Sequence, residues 1–241
     1  NFTLQSIELR HQNKLLLENM EEQVVARTRQ IYDLSNLDAL TRLFNRTAFL
    51  SHVREIKQSS IRQNKGFSIL FIDLDGFKRI NDTIGHSVGD EVLLLIAQRI
   101  KACCSEAMTL CRWGGDEFLI CVPNNNTELL VKLSGHLVQH ISDAMEIRGH
   151  RLKISATIGI ALYPDHSKDE QELIQLADMA MYSQKSSLSQ RWSFFDDHLA
   201  SQIKRENFLR SRLDTALENG EFRLVFQPIV KASDSTVVAF E

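Results

Sequence analysis

Glycine and proline are scarce in this chain, ten and three among 241 residues, and residues 1–35 hold neither. That scarcity excludes collagen-like and Pro/Gly-rich low-complexity proteins. Its four cysteines, Cys103, Cys104, Cys111 and Cys121, form no C-x-x-C pair and have no histidine at zinc spacing, so neither a zinc site nor a disulfide scaffold is expected. They are read as reduced thiols among apolar neighbours. No apolar run exceeds the six residues 92–97, far short of the ~20 that cross a bilayer, and no signal peptide opens the chain. Neither sign of charge dominates: 28 basic against 31 acidic residues leave a net charge of -3, without general attraction to nucleic acid or anionic membrane. A polyanionic ligand therefore has to be held by local groups. A cytoplasmic location is expected, and because the sequence opens on Asn1 and stops at Glu241, a membrane anchor or sensor is expected outside it.

What is present is enough apolar material, 43% of residues, to bury a core of one large or two ordinary domains. Residues 1–35, rich in Leu, Glu, Gln and Arg, read as one long helix. Leu17, Met20, Val24, Ile31 and Leu34 follow three- and four-residue steps interrupted only by Arg27. A coiled-coil seam joining two chains and an amphipathic helix packed on its own domain both fit, and the narrow stripe favours the seam.

Beyond residue 35 the patterns alternate: helix over 45–58, buried strand over 67–74, helix over 89–104, and two strands within 109–122 joined at Gly114-Gly115. A helix over 127–147, a strand over 151–162, a helix over 171–185 and a closing strand over 192–195 follow. The glycine hairpin makes neighbouring strands antiparallel, so the fold class is α+β, an antiparallel-rich central sheet flanked by helices, rather than a doubly wound sheet. A last helix is expected over 198–219. The strand-like F-R-L-V-F-Q-P-I-V, 222–230, finds no partner in what remains and reads as the opening of another domain. The expected division is 1–35, 36–197 and 198–241.

The candidate chemistry lies around C-R-W-G-G-D-E-F-L, 111–119. Alone, it is an ordinary two-residue hairpin with solvated acids. Strand 67–74 adds a second source of charge. Period-two alternation puts Ile69, Phe71 and Asp73 on one face and Leu70, Ile72 and Leu74 on the other, so Asp73 ends an apolar strand. A carboxylate there is costly if buried unpaired, which leaves the solvent rim or a bound cation. Asp116 and Glu117 arrive from a second strand, at glycines that let backbone approach a ligand. Carboxylates converging from two strands suit Mg²⁺, which keeps waters and shares its ligands with phosphates. Lys78 and Lys185 are candidate phosphate cations. The pattern is that of metal-assisted phosphoryl transfer on a nucleotide.

These residues resemble the GGDEF family of diguanylate cyclases, with R-W-G-G-D-E-F, 112–118, as the signature. D-A-L-T-R-L-F-N-R (38–46), D-L-D-G-F-K-R-I-N-D (73–82), G-H-S-V-G-D (85–90), T-I-G-I-A (157–161) and A-D-M-A-M-Y (177–182) extend the resemblance over about 38–196. It implies a cytosolic signalling enzyme that condenses two GTP into the bacterial second messenger cyclic di-GMP, releasing pyrophosphate, with two domains facing each other. On the matching positions, Asp73, the Leu74 carbonyl, Asp116 and Glu117 hold Mg²⁺ or Mn²⁺, and Asp116 also acts as base toward the ribose 3′-hydroxyl. Asn81 and Asp90 read guanine, whose N1–H and N2–H₂ a carboxylate can accept. Lys78 and Lys185 hold phosphates, Gly114 and Gly115 admit them, and His86 lies beside the nucleotide or serves structure. The N-terminal seam would pair two chains and relay an upstream sensor. Residues 222–230 followed by V-V-A-F-E resemble the start of an EAL phosphodiesterase domain.

Two departures qualify the resemblance. Where the family places Gly-Arg-Asn, this chain has Leu188, Ser189 and Gln190. A lost charge-assisted phosphate contact costs about 1.5–3 kcal/mol, so weaker GTP binding is expected unless Arg191 substitutes. The product-inhibition motif R-x-x-D is replaced by S-E-A-M, 105–108, so no inhibition by that route is expected. The alternative to an active cyclase is a catalytically weak or inactive GTP-binding module that regulates a downstream EAL phosphodiesterase.

Overall fold

Eight consecutive residues of the central strand β1 (Phe67–Asp75) are buried, which happens only when helices cover both faces of a sheet. The computed structural model describes residues 30–185, 190–196, 219–234 and 236–241, together with Met20, Gln23, Val24, Arg27, Arg212 and Ala216. It divides into two units, Asn1–Asp196 and Asp197–Glu241.

In the first unit, helical residues 30–36 lead into α1 (Arg46–Gln63), β1, α2 (Phe77–Ile84), α3 (His86–Cys103), β2 (Thr109–Gly114) and β3 (Glu117–Val122). Then come α4 (Thr127–Ser142), β4 (Met145–Ile147), β5 (His150–Leu152), β6 (Ser155–Tyr163), α5 (Glu170–Gln184) and β7 (Trp192–Phe194). The sheet order is β2-β3-β1-β6-β7, antiparallel at each pairing save the last. The α+β class is as expected. Leu70, Ile72 and Leu74 pack with α3 and α4, and Phe67, Ile69 and Phe71 with α1 and α5, the alternation expected of β1.

Caps fix the helix starts. The side chains of Asn45, Asn126 and Asp169 accept from the first-turn amides of α1, α4 and α5. Several boundaries differ from the sequence expectation. α1 runs on to Gln63, where Asn64 closes it in the left-handed region at φ 52°. α2 was not expected: it has eight residues with only Phe77 buried, too short to show a period, and lies between glycines at φ 82° and 106°. The expected helix over 127–147 stops at Ser142, and the expected strand over 151–162 is split. Arg148 and Gly149, at φ 49° and 79°, form the tight turn of a small β4–β5 hairpin. Arg99 donates to the carbonyls of Ile141 in the last turn of α4 and of Asp143 and Ala144 just beyond it, which satisfies groups the helix end leaves bare.

The cysteines form no disulfide; burial pushes the Cys104 thiol up to about 12. Met20, Val24, Ile31 and Leu34 of the N-terminal seam are each more than half exposed, and Leu17 lies outside the described residues. So do Leu188, Ser189 and the expected helix 198–219 apart from Arg212, Ala216 and Asn219. Among the described residues no helix is long and apolar enough to cross a membrane.

The second unit corrects one expectation. The segment 222–230 does find a partner: β8 (Pro228–Val230) pairs antiparallel with β9 (Val237–Phe240), although residues 222–227 are not strand. Asp234 accepts from the Thr236 amide at 3.1 Å in the connecting turn.

Gly159, paired with Phe71, lies against α5 so closely that a Cβ there would overlap the Ala177 carbonyl and the Met181 amide. Gly159→Ala is expected to push α5 off the sheet and lower stability by about 1–3 kcal/mol, measured by urea unfolding.

Candidate active site

β1 carries its one acid of the apolar stretch, Asp73, to a point directly opposite Glu117, the first residue of β3. Residues so paired have Cβ atoms about 5 Å apart. Asp73 is only 8% exposed, and its Oδ1 accepts from Lys185 Nζ at 2.9 Å. Of the two possibilities open for this carboxylate, solvent rim or cation, the structure supplies a cation. Lys185 is the C-cap of α5, so the helix that packs on Gly159 also delivers the lysine.

The Gly-Gly turn joins β2 to β3 with a bulge at Trp113, because Arg112 pairs with Phe118 while Gly114 pairs with Glu117. Gly115 has φ 48°, which favours glycine, and a Cβ on Gly114 or Gly115 would meet nothing within 4 Å. The outer face of the turn is thus open backbone. Asp116 follows, and its carbonyl accepts from the Leu74 amide at 3.2 Å, tying the turn to β1.

One further acid belongs to this cluster. Asp178, on α5, is the strongest charge acting on Glu117. It stands in A-D-M-A-M-Y seven residues before Lys185, exposed beside the buried face of Ile174, Ala177 and Met181; that spacing is the signal the sequence offers for it. Burial raises the pKa of Asp116, Glu117 and Asp178, and the Asp73 charge adds to each shift. Lys185 is the counterweight. Burial lowers its own pKa, but the bond to Asp73 and the fields of Asp73, Asp75 and Asp116 outweigh that and hold it above the ordinary range.

Among the described residues no three His, Cys, Asp or Glu side chains close on a single metal position. The site offers a divalent ion the cross-strand pair Asp73 and Glu117, with Asp116 on the adjoining turn. That suits a cation which takes one or two carboxylates and completes its shell with water and phosphate. The ammonium of Lys185 already stands where positive charge is needed.

On the other face of β1, Asn81 of α2 has its Oδ1 buried without a hydrogen-bond partner. It presses on Gly89 of α3, where a Cβ would overlap it, and Asp90 follows directly. Asn81 thus lies against the residue that precedes Asp90, Gly89, which was not among the expected site residues. Lys78 and His86 are exposed on α2 and α3, and neither is bonded to the carboxylates. Asp75 accepts from Ser155 Oγ at 2.9 Å and Thr157 Oγ1 at 3.0 Å, and Arg191 Nη1 lies 3.5 Å away. Ser105 to Met108 form a turn, with Met108 N donating to the Ser105 carbonyl at 3.0 Å.

The family model described as "Diguanylate cyclase, GGDEF domain" matches residues 35–191. The bifunctional diguanylate cyclase/cyclic di-GMP phosphodiesterase MucR of Pseudomonas aeruginosa is 36% identical over 213 residues, 88% of this chain and 31% of MucR. The cyclic di-GMP phosphodiesterase NbdA of the same organism is 31% identical over 209 residues, 86% of this chain and 27% of NbdA. The chain thus spans about a third or less of these relatives. The solved GGDEF domain of TpbB, also from P. aeruginosa, superposes with a TM-score of 0.66 at 31% identity, covering 70% of this chain and 99% of that domain.

The raised carboxyl groups give a testable sign. Folded Asp178 holds its proton more tightly than the unfolded chain does, so its ionisation opposes folding above the raised pKa, and that cost fades below its ordinary value of 3.8. Asp178→Asn is therefore expected to raise the urea midpoint at about pH 7 and to leave it unchanged at about pH 3.

Proposed function

The chain belongs to the GGDEF diguanylate cyclase family, and from that membership we propose that it condenses two GTP into cyclic di-GMP, in an active site formed where two such domains face each other. The observation that carries this reading is Asp73, buried opposite Glu117 and bonded to Lys185. The 3′-oxygen of one nucleotide attacks the α-phosphate of the other, the α–β bond breaks, and pyrophosphate leaves. Asp116 takes the 3′-hydroxyl proton; burial raises its affinity for a proton, as a general base requires. Lys185 turns from Asp73 to the phosphates, and the open backbone at Gly114 and Gly115 lets them approach. Bound Mg²⁺ or Mn²⁺, held by Asp73, the Leu74 carbonyl, Asp116 and Glu117, would neutralise charge on the phosphates. Asn81 and Asp90 read guanine, and the unpartnered Asn81 oxygen is an acceptor awaiting a donor. Lys78 and His86 flank the nucleotide. Arg191, sharing Asp75 with two hydroxyls, is the available replacement for the family arginine at Ser189.

The wider organisation belongs to the same proposal. Residues 1–35 form a signalling helix that pairs two chains, 36–197 the cyclase domain, and 198–241 a linker and the start of an EAL domain. The exposure of Met20, Val24, Ile31 and Leu34 supports the pairing, and MucR's double activity supports the tandem arrangement. An upstream sensor completes the chain. A second reading, a GTP-binding module that regulates a phosphodiesterase, is favoured by NbdA, whose name carries that activity alone.

The test is to incubate the chain with GTP and Mg²⁺ and measure cyclic di-GMP by chromatography over a range of protein concentration. Specific activity is expected to rise with concentration, to vanish on chelation, and to fall at least about 1,000-fold in Asp116→Ala. No product at any concentration, with GTP still bound, would instead establish the second reading. Gly89→Ala displaces the Asn81 carboxamide and crowds only the tip of the Phe77 ring besides, and is expected to raise KM for GTP about tenfold with little loss of thermal stability.

A further inference from the structure

Arg112 and Trp113 precede the two glycines of the turn, and nothing above gives either a part in the reaction. Arg112 Nε and Nη2 donate to the Gly115 carbonyl at 3.1 and 2.9 Å. Its Nη1 meanwhile reaches both oxygens of Asp38, at 3.2 and 3.3 Å, 74 residues earlier in the chain. The next carbonyl along, that of Asp116, is held by the Leu74 amide of β1. The peptide planes on both sides of the Asp116 Cα are therefore fixed, one by Arg112 and the other by the sheet. The open glycines supply no other brace, since a side chain at 114 or 115 would touch nothing.

Arg112 is anchored in turn. Asp38 Oδ1 accepts from the Thr41 amide and hydroxyl at 2.7 and 2.6 Å. The Asp38 amide donates to the Leu43 carbonyl, and Phe44 exchanges backbone hydrogen bonds with Leu110 and Arg112 on the edge of β2. The Arg112 and Asp38 side chains are only 15% and 22% exposed, so the pair is shielded in a way that ordinary surface ion pairs are not. Burial alone would raise the Asp38 pKa, yet the Thr41 bonds and Arg112 hold it below the ordinary carboxylate value. On the other side of the hairpin, Trp113 meets the edge of Phe49, and the Arg46 guanidinium lies 4.2 Å over its ring. The same loop is tied to the helical residues before it, by Arg42 to Asp33 and by Asn45 Nδ2 to the Ser35 carbonyl.

We infer that Arg112, anchored on Asp38, is a positioning residue that sets the direction in which Asp116 presents its carboxylate. Turnover, rather than nucleotide binding, depends on Asp38. The kinetic form of this inference rests on the cyclase reading; the structural form does not. Movement of helical residues 30–36 bears on the same pair, through the loop that carries Asp38.

The test uses Asp38→Asn, Arg112→Lys and the double variant, each measured for cyclic di-GMP formation and for amide hydrogen exchange over 112–118. Lysine keeps the ion pair with Asp38 but cannot also grip the Gly115 carbonyl, so it separates charge from geometry. In each single variant kcat is expected to fall about 10- to 100-fold with KM within about threefold of the parent. The double variant is expected to be no slower than Arg112→Lys, because both changes cut one linkage. Exchange over 112–118 should quicken in all three while the thermal midpoint of the near-isosteric Asp38→Asn holds. Full turnover in either single variant, or losses that multiply in the double variant with KM rising in step, would overturn the inference. Should the parent chain form no cyclic di-GMP, the cyclase reading fails by itself; unchanged exchange over 112–118 in Asp38→Asn would then overturn the positioning role independently.

Discussion

A carboxylate at the end of an apolar strand has to be met by positive charge, and Asp73 is met by Lys185. That ion pair joins two elements far apart in sequence, and the core determines that they meet. Hydrophobic residues alternate along β1 onto two helical layers, which fixes the register of the strand and hence the face on which Asp73 emerges. Gly159, lacking a side chain, lets α5 settle on β6 at backbone distance, and the end of that helix is where Lys185 stands. A larger residue at 159 lifts the lysine and the core together, so stability and site share one contact.

One lysine does not balance the acids gathered there. Burial raises the proton affinity of Asp116, Glu117 and Asp178, and the charges of neighbouring acids, Asp73 among them in each case, add to it. The folded chain thus stores unfavourable charge that an incoming cation would relieve. Such an imbalance is costly for a structural feature and useful for a site that binds a metal with its substrate.

Much of this was legible in the sequence. The apolar alternation of 67–74 located Asp73, and the glycines located the hairpin that carries Asp116 and Glu117. What escaped lacked a periodic signal. α2 is too short to show one, and the β4–β5 hairpin hides in I-R-G-H, where the turn needs positive φ at an arginine as well as a glycine. Gly89 and Asp178 escaped for another reason. Each acts through a neighbour, Gly89 by making room for Asn81 and Asp178 by its field on Glu117, and such pairwise effects exist only once the chain is folded. Partner strand 237–240 was missed because a short exposed pairing leaves no buried stripe.

The layout around β1 divides the work of the proposed reaction between the two faces of the sheet. Asn81, Gly89 and Asp90 lie on α2 and α3, which pack on the face of Leu70 and Ile72, whereas Lys185 and Asp178 come from α5 on the face of Ile69 and Phe71. A nucleotide read at its base by the first group and held at its phosphates by the second would cross the end of β1, beside the turn that carries Asp116. On that proposal, base recognition and chemistry would fall to separate elements that meet only through the strand end. The turn is the one part not built from the core, since its glycines touch nothing and its two carbonyls are pinned from outside. A site organised this way can keep its affinity for nucleotide while its rate is altered by whatever moves Asp38, because the pin on Gly115 belongs to the loop that follows the N-terminal helical residues and not to the surfaces that hold the base or the phosphates.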